Sequence, residues 1–255
     1  SYEQEAVEHK NDLKMYDDYN IIRSKYNYSK DQLKLSLVTS CYNAEKYIDD
    51  LSNSVLNQQY QNWEWIIADD FSSDNTLQKL NHIQSLDQRI RIVYPKHKKE
   101  IWWNPQIHAT GDIVCHLDAD DILFPNTLDL LVHYFNTFPD VVLMHFNASK
   151  YKEKFPNKEN ILENYLNNVY VTDDNDSFLE GYGKLWPNRS NMFGYLRVFR
   201  NLKNLHFPEH DDALGECVPN DGQWLITMEE KGKWLYVPRT IYLARNHGDS
   251  ENHRN

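Results

Sequence analysis

Residues 115–125, CHLDADDILFP, join an apolar run to three carboxylates within four positions. The acids are Asp118, Asp120 and Asp121. The apolar residues before them are typical of a buried strand, so we expect the acids at the point where that strand ends. Like charges this close repel one another, and burying them without partners costs free energy. The cluster therefore needs a partner of opposite charge or contact with water.

The segments around this run alternate between strand and helix patterns. Short apolar runs predict strands at residues 35–40, 63–70, 90–95, 112–118 and 140–146. Helical spacing of apolar residues predicts helices at 45–58, 73–86 and 125–138. We expect the second helix to begin with Ser73 or Asp74 as its N-cap, and the third to carry Pro125 in its first turn.

This alternation predicts an α/β fold with a parallel or mostly parallel sheet that is covered on both faces. In such sheets ligands bind beyond the carboxyl ends of the strands. Thr39, Asp69, Asp70 and the acids at 118–121 all fall at such ends. We therefore expect a cleft lined with oxygen ligands at this edge of the sheet.

The pattern is weaker outside this part of the chain. Residues 1–33 are charged and tyrosine-rich, and we expect a short helical or extended lead-in on the surface. Residues 150–178 are polar and predict an inserted helix and loop. Regular spacing resumes at 219–232, which predicts a helix ended by Gly232. Two apolar runs follow, at 233–238 and 240–250.

The composition limits the classes of binding partner and the cell compartment that we expect. The formal net charge of -11 disfavours a nucleic acid or an anionic membrane surface as partner. The 3 cysteines are odd in number and lack metal-site spacing, which argues against a disulfide framework and for a reducing compartment. No apolar run approaches the roughly 18–20 residues that span a bilayer, and no secretory signal opens the chain. We expect a cytoplasmic globular protein; nothing in the pattern indicates an oligomeric state.

An Asp-x-Asp pair at a strand end supplies hard oxygen ligands suited to Mn²⁺ or Mg²⁺, which also bind substrate phosphates. A divalent cation would offset the repulsion within the cluster and let an acidic protein hold a diphosphate. The alternative is a solvated turn that caps the following helix. No glycine precedes Gly111, which excludes a glycine-rich dinucleotide fingerprint or a P-loop after the first strand.

Four motifs in order resemble the family 2 glycosyltransferases. They are LSLVTSCYNAEKYI, WEWIIADDFSSDNT, ATGDIVCHLDADDILFPNTL and NDGQWLITMEEKGKWLYVPRTIYLARNHGDS. The resemblance implies the GT-A fold, a Rossmann-like three-layer α/β/α sandwich, over about residues 34–250. It is weak from about 150 to 215. It further implies a donor half at 34–149, an acceptor half at 150–250 and an extension at 1–33.

The resemblance assigns the donor site residue by residue. Thr39, Tyr42 and Asp118 match nucleotide-binding positions, and Asp70 matches the position that reads the base. Asp69 and Asp74 are expected to hold the loop and cap the next helix. Asp120 matches a direct metal ligand, with Asp121 near the ribose or the loop. His247 falls where several members place a histidine beside the metal or diphosphate, and Arg245 lies nearby in sequence. Asp121 and Arg245 are therefore possible contacts to the donor or acceptor.

The resemblance assigns fewer residues on the acceptor side. Asp221 matches the general base that takes the proton of the acceptor hydroxyl, with Glu216, Asp211 and Asp212 as alternatives. Possible sugar-stacking residues are Trp102, Trp103, Trp186 and Trp224, of which at most two are expected to act. Asn104 matches the family at a place where Trp103 replaces an arginine. A cation from Lys96, Lys98 or Lys99 is the alternative contact there.

The activity implied by the resemblance is a metal-dependent, inverting transfer of a sugar from a nucleotide diphosphate to a carbohydrate or glycolipid hydroxyl. A UDP-sugar is the favoured donor. Three alternatives are a metal-dependent phosphohydrolase or nucleotidyltransferase, a glycoside hydrolase, and a degenerate transferase domain that binds sugar or acts as a scaffold. The first normally carries its acids or a glycine-rich loop after the first strand, and the second would leave the early motifs without a role.

Overall fold

The computed structural model of the chain describes residues 33–95, 105–152, 197–202 and 231–246. The strands are β1 (Leu35–Cys41), β2 (Trp63–Asp69), β3 (Ile90–Val93), β4 (Ile113–His116), β5 (Ile122–Leu123), β6 (Val141–Lys152), β7 (Arg197–Arg200) and β8 (Lys233–Asn246). The α-helices are α1 (Ile48–Leu56), α2 (Thr76–Leu86) and α3 (Thr127–Thr137). A short 3₁₀ helix covers Pro105–His108. Within these ranges no helix is long and apolar enough to cross a membrane.

The strands form one 8-stranded sheet in the order β3-β2-β1-β4-β7-β6-β8-β5. The first four strands of this order are all parallel. Strand β7 runs antiparallel to both β4 and β6, β5 runs antiparallel to β8, and β6 and β8 are parallel. The prediction of an α/β fold with a mostly parallel central sheet is confirmed.

The parallel half of the sheet is covered on both faces. Strands β2 and β4 are buried at every position, and β1 at all but one. Because successive side chains of a strand point to opposite faces, such burial requires cover on both. Buried residues of α1, α2 and α3 share one core cluster with Leu35 and Leu37 of β1. On the other face, Gln106 of the 3₁₀ helix contacts the imidazole of His116 at 2.9 Å.

The register aligns the carboxyl ends of the central strands. Cys41 at the end of β1 pairs with Asp69 at the end of β2, and Val38 pairs with His116 at the end of β4. The loops that follow β1, β2 and β4 therefore emerge at the same edge of the sheet. This is the edge where the sequence predicts a cleft.

The predicted starts of α2 and α3 lie earlier in the sequence than the starts in the structure. Helix α2 has Asn75 at its N-cap, without a side-chain cap bond, and Asp74 Oδ1 instead accepts from the N–H of Thr76 at 2.9 Å. Helix α3 begins at Thr127, so Pro125 precedes it. The reason is a left-handed residue, Asn126, with φ 61°, which turns the chain before the helix can start.

The sequence pattern does not predict strands β5 and β7, and it divides β8 into two separate runs. Strand β5 has 2 residues and β7 has 4, RVFR, which is too short for a periodic signal. The predicted run at 233–238 and residues 240–246 of the run predicted at 240–250 lie in one strand, β8, and the rest of the second run falls outside the described residues. Its register with β6 shifts between Phe146, which pairs with Val237, and Asn147, which pairs with Thr240. Pro238 lies in this bulge, where its missing N–H breaks no regular ladder bond.

Candidate active site

Two backbone hydrogen bonds hold the loops of the three central strands together. The N–H of Asp70, after β2, donates to the carbonyl of Cys41 at the end of β1 at 2.7 Å. The N–H of Leu117, after β4, donates to the carbonyl of Val38 at 2.8 Å. The predicted nucleotide residues Asp70 and Asp118 consequently lie on one edge, and Asp118 is exposed there.

The loops after β1 and β2 are cross-linked by side chains. The N–H of Asn43 donates to Ser72 Oγ at 3.0 Å, and the N–H of Ser73 donates to Asn43 Oδ1 at 2.8 Å. These bonds hold Asn43 and Phe71 in left-handed backbone, with φ 50° and 55°. Tyr42 and Phe71 keep 36% and 50% of their surfaces exposed beside Asp70. Phe71 is absent from the sequence prediction, although it directly follows the Asp-Asp pair.

Asp69 and Asp74 hold these loops, as expected from the sequence. Asp69 is buried, and its Oδ2 accepts from the N–H of Ser72 at 3.2 Å. Asp74 Oδ2 accepts from the N–H of Glu45 at 3.3 Å. Burial raises the pKa of the Cys41 thiol, and the carboxylates of Asp69, Asp120 and Asp74 raise it further. The end of β1 therefore lies within the field of acids from two segments, the end of β2 with its following loop and the loop after β4.

Thr39 has a role in the core. It is buried, and its hydroxyl accepts a hydrogen bond from the indole N–H of Trp65 at 2.9 Å. Trp65 is fully buried within β2. One lone pair of this hydroxyl is therefore taken by Trp65, so the nucleotide contact that the resemblance implies at Thr39 would use the remaining hydroxyl capacity or the main chain.

The acids at 118–121, here called the acid loop, differ in exposure. Asp118 is exposed, Asp120 is half-buried and Asp121 is buried. The carboxylate of Asp121 accepts from the hydroxyl of Tyr242 and, at 2.7 Å, from the N–H of Arg245. Burial raises the pKa of Asp121 well above its usual range, with the charges of Asp120 and Asp118 adding to the effect. Asp121 therefore ties the acid loop to β8, and the predicted donor or acceptor contact is displaced by these partners.

Arg245 is packed beneath the acid loop. Its side chain is 7% exposed, and its Nη2 pairs with Asp50 Oδ2 of α1 at 2.9 Å. Its Nε donates to the main-chain carbonyl of Asp120 at 2.8 Å. The guanidinium carbon lies 4.8 Å from the ring centroid of Tyr47. This burial is at odds with the predicted direct contact between Arg245 and a donor or acceptor.

The donor set of the acid loop suits a hard divalent cation. Asp118 and Asp120 offer carboxylate oxygens, and Mn²⁺ or Mg²⁺ is commonly held by one or two carboxylates together with substrate phosphates. Their negative charge helps to raise the pKa of buried Asp121, a sign of a field that a cation would relieve. Among the described residues, no group of three or more His, Cys, Asp or Glu could hold a metal by itself. Any such site here would therefore need ligand oxygens or residues from elsewhere.

Several predicted site residues lie outside the described ranges. These are Asp221 and its alternatives Glu216, Asp211 and Asp212, then His247, Asn104, Trp102, Trp103, Trp186, Trp224, Lys96, Lys98 and Lys99. Residues 219–230 of the helix predicted at 219–232 and most of the predicted insertion at 150–178 fall there as well. The described part of the site consists of three loops after β1, β2 and β4, backed by the end of β8.

Comparison with known proteins places this arrangement in a family. The family model for glycosyl transferase family 2 matches residues 36–204. The Escherichia coli protein WfgD, named as a UDP-Glc:alpha-D-GlcNAc-diphosphoundecaprenol beta-1,3-glucosyltransferase, is 35% identical over 105 residues, which cover 40% of this chain and 41% of that protein. The matches to three other curated relatives cover 39%, 40% and 34% of this chain and 32%, 38% and 36% of those proteins, so the matched segment spans about a third of their length.

Two solved structures share the fold. The structure of S. aureus TarS 1-349 in complex with UDP-GlcNAc has a TM-score of 0.61 at 18% identity, covering 86% of this chain and 60% of that one. GalNAc-T7 with UDP, GalNAc and Mn²⁺ has a TM-score of 0.61 at 16% identity, covering 86% and 45%. The chain thus has the GT-A fold predicted from its motifs. Because the family model spans more than half of its 255 residues, the chain belongs to glycosyl transferase family 2.

Proposed function

We propose that the chain is the catalytic domain of a metal-dependent, inverting glycosyltransferase that takes its sugar from a nucleotide diphosphate, with UDP-sugars favoured. The observation that carries the proposal is the single edge formed by Asp70, Asp118 and Asp120. The loops after β2 and β4 meet β1 there, with these acids at or near the surface. The partners named for TarS and GalNAc-T7, UDP-GlcNAc in one and UDP with Mn²⁺ in the other, support a UDP donor.

The donor half, residues 34–149, would hold the nucleotide. Asp70 would accept a hydrogen bond from the base, and the exposed ring of Tyr42 would pack against the base or ribose. Asp118 would accept from ribose hydroxyls. Asp120, together with His247, would hold Mn²⁺ or Mg²⁺. That cation, when bound, would neutralise negative charge on the diphosphate leaving group.

The acceptor half, residues 150–250, would supply the base. Asp221 would take the proton of the acceptor hydroxyl as that oxygen attacks the anomeric carbon and the diphosphate leaves. A single displacement of this kind inverts the anomeric configuration. Trp186, Trp224, Trp103 and Asn104 are the proposed sugar contacts, and the proposed acceptor is a carbohydrate or glycolipid.

Inversion can be tested with water as a slow substitute acceptor. The chain would be incubated with UDP-α-glucose, UDP-α-GlcNAc or UDP-α-GalNAc and Mn²⁺, and the released sugar followed by proton NMR before it mutarotates. The proposal predicts UDP release from at least one donor, with the β-anomer formed first and no release in EDTA. First formation of the α-anomer, undiminished release in EDTA, or no release from any of the three would count against it.

The matched control changes a charge away from the proposed site. Asp140 lies just before β6, at the opposite edge of the sheet, and forms an exposed ion pair with Lys233. Asp140→Asn should release UDP at the unaltered rate, whereas Asp120→Asn should release almost none. Equal loss in both variants would mean that net charge, and not the acid loop, controls the reaction.

A further inference from the structure

Arg245 connects three elements that meet behind the acid loop. It lies on β8, its guanidinium pairs with Asp50 in the first turn of α1, and its Nε donates to the carbonyl of Asp120. Its own main-chain N–H donates to Asp121. One residue thus holds the main-chain carbonyl of Asp120 and the side-chain carboxylate of Asp121, and anchors both to a helix 195 positions away in the sequence.

The rest of the acid loop is fixed at its ends. Before it, the N–H of Leu117 bonds to β1, and after it, Ile122 and Leu123 pair with Leu243 and Tyr242 of β8. Inside it, the N–H of Asp121 donates to the carbonyl of Asp118 at 3.2 Å. The contact from Arg245 to the Asp120 carbonyl is a long-range side-chain bond to the main chain in the middle of the loop.

An arginine suits this position for a geometric reason. Its planar guanidinium offers several donors in a rigid fork, so it can bond a carboxylate and a carbonyl at the same time. Because the side chain is 7% exposed, removing it would leave both acceptors short of a donor in a place that water reaches poorly. Lysine would retain the charge but offers a point donor on a flexible stem.

We propose that Arg245 is a positioning residue for metal and donor binding: it holds the main chain of Asp120 so that the Asp120 carboxylate points at the cation without prior rearrangement. The inference rests on the proposed function and gives Arg245 a role behind the site, with no contact to donor or acceptor. Asp50 supports the arginine and acts through it. Groups that orient a metal ligand in this way typically change metal affinity by about 10–100-fold.

The sign of the affinity change separates positioning from simple electrostatics. Removing a positive charge near a cation site should tighten Mn²⁺ binding if charge alone matters. Positioning predicts the opposite, so Arg245→Met should weaken Mn²⁺ binding in the presence of UDP by about 10-fold or more. Arg245→Lys should also weaken it, although the charge is kept. Unchanged or tighter Mn²⁺ binding in Arg245→Met, measured by calorimetric titration, would overturn the proposal.

The control is an arginine with similar contacts elsewhere. Arg89 bonds Asp87, and its guanidinium lies 3.6 Å from the ring centroid of Trp63, before the start of β3 and away from the carboxyl edge. Arg89→Met should lower the unfolding temperature and leave Mn²⁺ affinity unchanged. If Arg89→Met weakens Mn²⁺ binding as much as Arg245→Met, the effect comes from global destabilisation and the proposal fails.

A second variant covers the case in which Arg245→Met does not fold. Asp50→Asn removes the ion pair and keeps the bond from Arg245 to Asp120, so Mn²⁺ affinity should fall by less than in Arg245→Lys. Adding Asp50→Asn to Arg245→Lys should have little further effect, because Asp50 acts through the arginine. If Asp50→Asn and Arg245→Lys lower Mn²⁺ affinity independently, so that their losses add in the double variant, then Asp50 does not act through Arg245.

Hydrogen exchange of the ligand-free protein decides the inference separately from the proposed function. Asp50→Asn and Arg245→Lys should speed exchange of amides in residues 117–121 and leave those of β2 protected. Unchanged exchange at 117–121 would overturn the proposal. If the unaltered chain binds no UDP with Mn²⁺, the proposed function falls; faster exchange in the variants would still establish that Arg245 holds the loop.

Discussion

The indole N–H of Trp65 donates to the hydroxyl of Thr39 at 2.9 Å, directly beneath the edge that carries the candidate site. Both residues are buried, so the bond is shielded from water. The hydroxyl therefore satisfies the one polar atom of a large core side chain. This buried contact joins β1 to β2 below the candidate site. It therefore contributes both to the stability of the sheet and to the position of its carboxyl edge.

Thr39→Val should destabilise the protein. Valine keeps the shape but leaves the Trp65 N–H without its acceptor, which costs about 1–3 kcal/mol. Thr39→Ser retains the oxygen and should cost less. Urea unfolding monitored by tryptophan fluorescence would measure both variants. Thr39→Val with unaltered stability would mean that the indole finds another acceptor.

Asp70→Asn should weaken UDP binding. The amide replaces a charged acceptor by one with half its accepting capacity, and a hydrogen bond to a charged group contributes about 1.5–3 kcal/mol, or roughly 10–150-fold in affinity. Calorimetric titration with UDP in the presence of Mn²⁺ measures this effect. Asp140→Asn is the control of equal charge change and should bind as the unaltered chain does. Equal affinity of the Asp70→Asn and Asp140→Asn chains would remove Asp70 from the nucleotide site.

The pKa of Glu64 predicts that part of the protein's stability is lost at acid pH. Burial alone would raise the pKa of Glu64, but hydrogen bonds from Ser36, Thr110 and Lys34 outweigh it and lower that pKa from 4.5 to about 2. The Ser36 hydroxyl donates at 2.6 Å. Because the folded pKa lies below the ordinary one, this stabilisation is fully present above pH 4.5 and is lost as the pH falls toward 2.

The comparison of Glu64→Gln with the unaltered chain isolates that group. At pH 7 the variant should be clearly less stable, and the difference in unfolding free energy should shrink as the pH is lowered from 4.5 to 3. Urea unfolding at a series of pH values measures this. A difference that stays constant over the whole range would show that ionisation of Glu64 contributes nothing.

Asp221→Asn should separate catalysis from binding. If Asp221 takes the proton of the acceptor hydroxyl, kcat should fall by about 10²–10⁴-fold while donor affinity is retained. Steady-state kinetics together with UDP titration would measure the two effects. Glu216→Gln is the companion variant and should retain most of its kcat. A large loss in Glu216→Gln with little loss in Asp221→Asn would move the base to Glu216.

The sequence predicts the first half of the fold well for a physical reason. Strands buried on both faces appear as continuous apolar runs, as at 35–40 and 63–70, and helices separate them with their own spacing. Strand β7, with 4 residues, is too short to show a period. The start of α3 is set by the left-handed backbone of Asn126, which depends on the turn around it and has no single-residue signature strong enough to predict it.

The same distinction holds in the candidate site, where strand ends are predictable from the sequence and long-range side-chain contacts are not. Asp70 and the acid loop are predictable because the carboxyl ends of parallel strands meet at one edge. The partners of Thr39 and Arg245 are long-range side-chain contacts, and the one between Arg245 and Asp50 joins residues 195 positions apart. Register and burial select such partners, and sequence motifs do not specify them.

The most direct test of a donor site at this edge is thermal unfolding with UDP, GDP, CDP and dTDP, each with Mn²⁺ or EDTA. A ligand at about 100 times its dissociation constant stabilises the folded state by about 2.7 kcal/mol, which gives a readable shift in Tm. The account predicts that UDP with Mn²⁺ raises Tm, and that the rise is lost in EDTA and in Asp120→Ala. It is contradicted if no diphosphate raises Tm, or if the rise is the same in EDTA and in Asp120→Ala.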